Sequence, residues 1–396
     1  MAGKHHFKIN NIVLLIFLTG FLVRLAFVLL LGAHFYFDDE YEYWKMVTNF
    51  LSGKGLMVSD TLKAYRPPVY PLFIAILVNC GFGIVGIRIV QAIISAATSV
   101  LIYLLGKRVF SERIAILAGF IASFYPFFIF YTGFVLTETL FIFFMVAAVF
   151  SFIKIFDSRS VPVYGIITGL ITGIAGLCRP TMEAFFPFAL IFVLFTVGSS
   201  RSRLLKVLFV GIGFILALSP WIIRNFVVLG RFVPGTTMGG AVFWEGNNPY
   251  SEGGPCRYFP EGIWQIEESR RDSVFYRITL DHIKQNPGRF IKLLGKKFVR
   301  FWNVVLNASE YRSFFYRLVS ILSFGLILPF FIIGIFIPPL DQKKLFLISI
   351  IAFFTIFHMI FLASIRYRVA IEPFLILIGC QGFFWVFDHI RAILNK

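Results

Sequence analysis

Residues 68–82 read PVYPLFIAILVNCGF, and the topology of the whole chain turns on how they are taken. The run is apolar enough to suggest a membrane crossing. It is also short and begins with prolines, whereas a spanning helix needs ~20 mainly apolar residues. An interfacial or re-entrant helix is therefore expected. The basic loops agree. Lys4 and Lys8 flank the first long apolar run, GKRVFSER (106–113) follows the second, SSRSRLLK (199–206) the sixth and DQKK (341–344) the eighth. With 68–82 left out of the count, all of these fall on one side. The positive-inside rule makes that side cytoplasmic and places both termini there. Counting 68–82 as a span would put GKRVFSER outside and break the pattern.

The rest of the chain fits a polytopic membrane protein. Of its 396 residues 58% are hydrophobic, and the mean hydropathy is +0.84, far from a soluble protein of this length. Spans are expected near 12–33, 85–105, 114–131, 135–156, 162–178, 184–199, 207–224, 315–337, 345–363 and 369–387. That gives an all-α fold of about ten transmembrane helices. The N-terminal run resembles a signal peptide, but it is long, Arg24 interrupts it and no small-residue cleavage site follows, so it reads as a retained first span. The formal net charge of +17 would suggest nucleic acid in a soluble protein. Here much of it orients spans, and no zinc knuckle, RNA-binding signature or basic helix is visible, so no nucleic-acid partner is expected. Cys80, Cys178, Cys256 and Cys380 stand far apart with no CxxC, and free thiols are expected.

The expected organisation is a transmembrane module over 1–224, an extracytoplasmic cap over 225–313 and C-terminal spans over 314–396. Within the first module, residues 34–84 form one outer segment lying on the membrane. In the cap, VPGTTMGGAVFWEGNNPYSEGGP (233–255) reads as loop, followed by two helices separated by Asn286-Pro287-Gly288. YGIITGLITGIAG (164–176) places Gly165, Gly169 and Gly173 at four-residue spacing, a smooth stripe for close helix packing.

Four features could carry chemistry. HFYFDDEYEYW (34–44) sets Asp38, Asp39, Glu40 and Glu42 at a membrane edge. In a helix Asp39 and Tyr43 share a face. Such a carboxylate can take a proton from a hydroxyl nucleophile, or the stretch is simply a solvated acidic loop. His34 with Asp38 gives two metal ligands, which do not make a site. In AYRPPVY (64–70) two prolines stiffen the chain and fix where Tyr65 and Arg66 point, which suits phosphate binding or marks a proline-punctuated helix start with an interfacial Arg. In GFVLTETLF (133–141), Glu138 sits at the outer end of a span, either as a functional acid or as a helix-start carboxylate. Last, Arg88, Arg179, Arg224, Arg366 and Arg368 all map to outer helix ends, where the positive-inside rule disfavours them. SIRYRVAIEP (364–373) puts two of them in one short turn. An anion site explains the set better than snorkelling does. Arg24, deeper in the first span, is expected to pair with a polar group inside the bundle. His358 reads as a hydrogen-bonded interior histidine, and Asn307 heads a sequon of low specificity.

The order of these motifs resembles a known family. DDEYEYW…LSGKG, YRPPVYPLFIA, GIRIVQAIISAATSVLIYLLGKRVF, YTGFVLTETLFIF, CRPTMEAFFP, PWIIRNFVVLGRFVP, FWEGNNP and RYRVAIEPF are similar to the GT-C membrane glycosyltransferases. The nearest branches are the dolichyl-phosphate-mannose–protein mannosyltransferase-like group and the aminoarabinose lipid A transferases. The resemblance implies a GT-C fold with outer juxtamembrane helices and a small extracytoplasmic cap. It implies inverting transfer of a hexose or pentose from a polyprenyl-phosphate donor to a hydroxyl of a lipid, glycan or protein acceptor, on the extracytoplasmic face. It carries the catalytic base onto Asp39, with Asp38 as fallback if the register slips by one, and the second acid onto Glu138. The donor phosphate then falls to Tyr65, Arg66, Arg179, Arg224, Arg366 and Arg368, supported by Tyr43 and Arg88. A divalent metal stays open, since some relatives bind one and no complete ligand set is visible here. A bacterial inner membrane is the expected location. Two other readings stand beside it: a lipid-linked sugar flippase or transporter, which would use the same anion but needs polar groups along a path through the midplane, and an O-antigen or wall-polymer ligase, which would share the topology.

Overall fold

The computed structural model describes residues 2–157, 160–196, 199–307 and 313–395. Its helices, in chain order, are α1 (Ala2–Leu31), α2 (Asp38–Leu51), α3 (Val69–Asn79), α4 (Ile84–Val109), α5 (Glu112–Phe124), α6 (Pro126–Thr132), α7 (Glu138–Asp157), α8 (Val161–Gly176), α9 (Thr181–Leu194), α10 (Ser200–Leu229), α11 (Gly239–Asn247), α12 (Glu268–Gln285), α13 (Pro287–Trp302), α14 (Phe314–Ser320), α15 (Leu326–Phe336), α16 (Gln342–Ile360), α17 (Ile365–Arg368) and α18 (Glu372–Leu394). No extended strand is present among the described residues.

The ten expected spans fall on these helices. Seven stretches are long and apolar enough to cross a membrane: Asn11–Leu31, Ile84–Val109, Glu138–Asp157, Ser200–Leu229, Phe314–Phe336, Gln342–Ile360 and Ile365–Leu394. The pair α5–α6, bent by 46° where Pro126 interrupts the ladder, makes an eighth. The remaining two fall on the shorter apolar helices α8 and α9. The stretch at 68–82 contains α3, with 11 residues. At 1.5 Å per residue it extends about 16 Å, half of a ~30 Å hydrocarbon core. The chain is an integral membrane protein.

Local signals explain where helices begin and end. Asp341 caps α16 by accepting from the amides of Lys343 and Lys344. Gly230 closes α10 in a left-handed conformation (φ 65°), which a residue with a Cβ adopts at a cost. Inside the bundle, Arg24 finds the polar partners its depth demands. Its guanidinium donates to the Ser95 hydroxyl at 2.7 Å and to the carbonyls of Gly20, Ser123 and Ala122. His358 places Nδ1 3.1 Å from the Leu362 carbonyl and stacks on Tyr367.

The glycine stripe is the seam between α8 and α10. A Cβ on Gly169 would lie 2.1 Å from the Val210 carbonyl oxygen, and one on Gly213 would lie 2.2 Å from that of Ile166. Neither contact is with a movable side chain. Gly169→Leu must therefore push the two backbones apart, at a cost of about 3 kcal/mol or more. The expected result is a lower thermal unfolding temperature in detergent. An unchanged melting curve would show that the seam tolerates a side chain.

One expectation is overturned. Residues 233–255 do not form a continuous loop, because α11 runs through them. The glycines there serve close approach rather than chain breaking. A Cβ on Gly240 would meet the Asp272 carbonyl at 2.3 Å, and one on Gly246 the Phe361 carbonyl at 1.8 Å. They let α11 lie against α12 and the end of α16. Ala241, Trp244, Ile263 and Phe275 form a small apolar core that belongs to the cap itself.

Candidate functional site

The site assembles at the end of the bundle that carries the cap. Its first element is the start of α2. Glu40 closes the helix N-terminus: one carboxylate oxygen accepts from the amides of Tyr36 (2.7 Å) and Phe37 (3.0 Å). Its other oxygen accepts from the Val135 amide at 2.7 Å. Glu40 is fully buried and faces Arg88 at 3.6 Å. It therefore latches the acidic stretch onto the loop before α7. With α2 so placed, Asp38 points out to solvent, Tyr43 turns into the core and Asp39 lies between them at the rim. The expected Asp39–Tyr43 face exists, and Asp39 rather than Asp38 looks into the site.

Asp39 is held by two guanidinium groups. Arg66 Nη2 donates to one carboxylate oxygen at 2.8 Å, and Arg366 Nη1 donates to the other at 2.6 Å. Arg66 also donates to Glu42 Oε2, through Nε at 2.8 Å and Nη2 at 2.5 Å. It lies 5.5 Å from the ring centroids of Tyr43 and Tyr65, which frame it. Arg366 also reaches back to Glu138 Oε1 through Nε. Arg179 donates to the same Glu138 oxygen at 2.5 Å and to the Thr137 hydroxyl at 2.9 Å. The other Glu138 oxygen is buried and has no hydrogen-bond partner among the described residues. The result is a continuous network in which Arg66, Arg179 and Arg366 alternate with Asp39, Glu42 and Glu138. At formal charges it is neutral, three cations against three anions.

Electrostatics follow from that arrangement. Burial alone would raise the Asp39 carboxyl, but Arg66 and Arg366 outweigh it and hold the group below the usual carboxylate range. Burial pushes the phenols of Tyr43 and Tyr65 up, so both stay neutral at working pH. The cap adds Glu245 on α11. Burial raises its carboxyl, Arg257 and Arg66 pull it back, and Asp39 pushes it up again.

Sequence-derived residues thus separate into two groups. Asp39, Tyr43, Tyr65, Arg66, Glu138, Arg179 and Arg366 come together. Arg88, Arg224 and Arg368 do not, which corrects the expectation that all the outer arginines share one anion site. Arg88 donates to the carbonyls of Gly32 and His34 and faces Glu40. Arg224 donates to the carbonyls of Lys63 and Leu56. Arg368, fully buried, pairs with Glu372 at 2.8 Å and donates to the carbonyls of Phe301 and Asn303. Each is committed to backbone oxygens in the protein, a role that a count of cations at helix ends cannot detect. Conversely, the partnership of Glu42 and the place of Glu245 were not read from the sequence. Only the FWEGNNP motif pointed toward the latter.

The donor set does not suit a metal ion. Among the described residues no three His, Cys, Asp or Glu side chains gather as a binding group, and the carboxylates here are interleaved with guanidinium groups. The sequon's Ser309 lies outside the described residues.

Comparison with known proteins agrees with this architecture. Residues 65–223 match the family model described as dolichyl-phosphate-mannose-protein mannosyltransferase. The crystal structure of the Archaeoglobus fulgidus oligosaccharyltransferase in the apo form is similar at a TM-score of 0.61 and 15% identity, over 97% of this chain and 52% of that one. The archaeal oligosaccharyltransferase AglB from the same organism, in complex with an inhibitory peptide and a dolichol-phosphate, gives a TM-score of 0.61 at 16% identity, over 97% and 51%. ArnT from Cupriavidus metallidurans bound to undecaprenyl phosphate is a looser likeness, with a TM-score of 0.47 and 15% identity over 94% of this chain and 77% of that one. No curated protein matches the sequence. The chain spans about half the length of the solved oligosaccharyltransferase chains it resembles. The GT-C fold expected from the motifs is the fold of this protein.

Proposed function

We propose that the protein is an inverting glycosyltransferase that moves a sugar from a polyprenyl-phosphate donor to an acceptor hydroxyl on the extracytoplasmic face of its membrane. The observation that carries the reading is the network itself. Two guanidinium groups, those of Arg66 and Arg366, meet on the rim carboxylate Asp39, and Arg179 joins them through the buried Glu138, at the cap end of a bundle that shares its fold with a protein solved with dolichol-phosphate. Fixed guanidinium groups suit the terminal oxygens of a phosphate and stabilise the charge that grows there as the glycosidic bond breaks.

In the resting network each Asp39 oxygen accepts from a guanidinium group, and the two cations stabilise the anion and make it a poor base. A donor phosphate offers Arg66 and Arg366 a competing anion. As they turn to it, Asp39 is released and its affinity for a proton rises, which makes it a better base. The acceptor hydroxyl then gives its proton to Asp39 while its oxygen attacks the anomeric carbon. The bond from that carbon to the phosphate oxygen breaks, and polyprenyl phosphate leaves with the electron pair. Glu138 holds Arg366 and Arg179 in place through these steps. A bacterial inner membrane is the proposed setting.

Two measurements test this. Membranes containing the protein are expected to transfer label from a polyprenyl-phosphate sugar to an endogenous acceptor. Purified protein is expected to bind a polyprenyl monophosphate, with Arg66→Ala weakening binding by about 10- to 100-fold, the worth of charge-assisted hydrogen bonds. An uncharged polyprenol should bind both proteins alike. Equal affinity of the wild type and Arg66→Ala for the phosphate would move the phosphate site elsewhere.

A further inference from the structure

The segment that carries Tyr65 and Arg66 is not held by the helices beside it in sequence. Its backbone is held from the cap. Glu268, at the start of α12, accepts from the Lys63 amide through Oε2 at 2.5 Å and from the Ala64 amide through Oε1 at 2.9 Å. The same Oε1 accepts from the Thr237 hydroxyl at 2.6 Å. The Thr237 amide in turn donates to the Ala64 carbonyl at 3.0 Å. On the other side Arg224 donates to the Lys63 carbonyl at 2.9 Å and to the Leu56 carbonyl at 2.9 Å. Every backbone polar group of Lys63 and Ala64 is therefore occupied by a residue at least 160 positions away. Glu268 is buried, and Ala64 is fully enclosed.

We infer that Glu268 is a positioning residue for the donor cation: it clasps the backbone at Lys63–Ala64 and thereby aims Arg66 from the cap. Pro67 and Pro68 stiffen the chain on the far side of Arg66. Arg66 thus sits between a rigid proline pair and a clamped dipeptide, and its guanidinium has little freedom except in its own side chain. A carboxylate suits the task because its two oxygens accept from two successive amides and a hydroxyl at once, and hydrogen bonds to an ionised acceptor are the stronger kind. The placement of Glu268 itself is set by the apolar core that α12 shares with α11, through Ala241, Trp244 and Phe275. The orientation of the donor cation is therefore a property of the cap's packing. Arg224 joins the same clasp, which gives that arginine a role in place of phosphate contact.

This inference rests on the proposed donor and deepens it. The test uses the full-length protein in lipid nanodiscs and a polyprenyl monophosphate as probe. The wild type, Glu268→Ala, Glu268→Gln, Thr237→Val, Arg66→Ala and the double variant Glu268→Ala/Arg66→Ala are compared for probe affinity and for amide hydrogen exchange over residues 60–66. Glu268→Ala should weaken the probe by about tenfold, the equivalent of roughly one charge-assisted hydrogen bond, and speed exchange in that segment. Glu268→Gln, which keeps one acceptor oxygen, should recover part of both, and Thr237→Val should lose less than Glu268→Ala. The double variant should bind no more weakly than Arg66→Ala alone, because Glu268 acts through Arg66. Faster exchange with unchanged affinity would overturn the inference, as would additive losses in the double variant. If Glu268→Ala fails to fold, Thr237→Val and Glu268→Gln decide by the same two readouts. Failure of the wild type to bind the probe at all would instead overturn the proposed donor, and the exchange data would still report whether the clasp exists.

Discussion

Asp39→Asn is expected to lower transfer by about 10²- to 10⁴-fold, the range over which a positioned general base contributes. The substitution keeps the shape of the side chain and removes its charge. Arg66 and Arg366, which each spend one contact on Asp39, would then be freer for the donor. The donor KM should therefore hold or fall while kcat drops. That split separates loss of a base from loss of a binding group, which would raise KM instead. Full activity in Asp39→Asn would end the assignment, and Asp38 would become the residue to test.

The second large effect is on stability. Glu138 is 1% exposed and is the shared partner of Arg179 and Arg366. Glu138→Ala removes the anion, leaving Arg179 without its carboxylate and Arg366 with Asp39 alone. Breaking a buried ion pair from one side costs about 3–5 kcal/mol. Arg179 and Arg366 keep some solvent access, at 14% and 30% of their side chains, so the lower end of that range is expected. The measurement is thermal unfolding of the purified protein. Glu138→Gln, which keeps shape and one acceptor oxygen, should recover part of the loss. A melting temperature unmoved by Glu138→Ala would mean that the arginines find other partners. Adding Arg179→Leu to Glu138→Ala should restore some stability, since it removes the guanidinium that Glu138 had paired.

Much of this is legible in the sequence. Orientation rules keep residues 68–82 out of the span count, and α3 within them runs for 11 residues. The depth of Arg24 and the interior setting of His358 followed from the apolar runs around them. Asp39, Arg66, Glu138, Arg179 and Arg366 were all in view as candidates because charge beside hydrocarbon is costly. Sequence could not say which outer arginines share a site. Arg88, Arg224 and Arg368 carry the same signal as the others, and only their carbonyl partners distinguish them. Nor could it find Glu268, because its two amide partners lie about 200 residues earlier and nothing local marks a carboxylate as a backbone clasp. The glycines of 233–255 misled for a related reason. Gly is the usual signal for a turn, but here it permits backbones to touch across elements, and its role depends on what lies opposite.

Arg24 also bears on how the chain is built. A guanidinium near the middle of a hydrophobic helix costs about 2.5–3.5 kcal/mol on insertion scales. The groups that offset this cost are the Ser95 hydroxyl on α4 and the Ala122 and Ser123 carbonyls on α5, all of which emerge from the ribosome some 70 to 100 residues later. The first helix is thus a poor lodger in lipid until the second and third crossings arrive, and its settling into the bilayer is tied to theirs. Biogenesis at this end of the protein would proceed as a three-helix unit, with the arginine as the fastener that closes it.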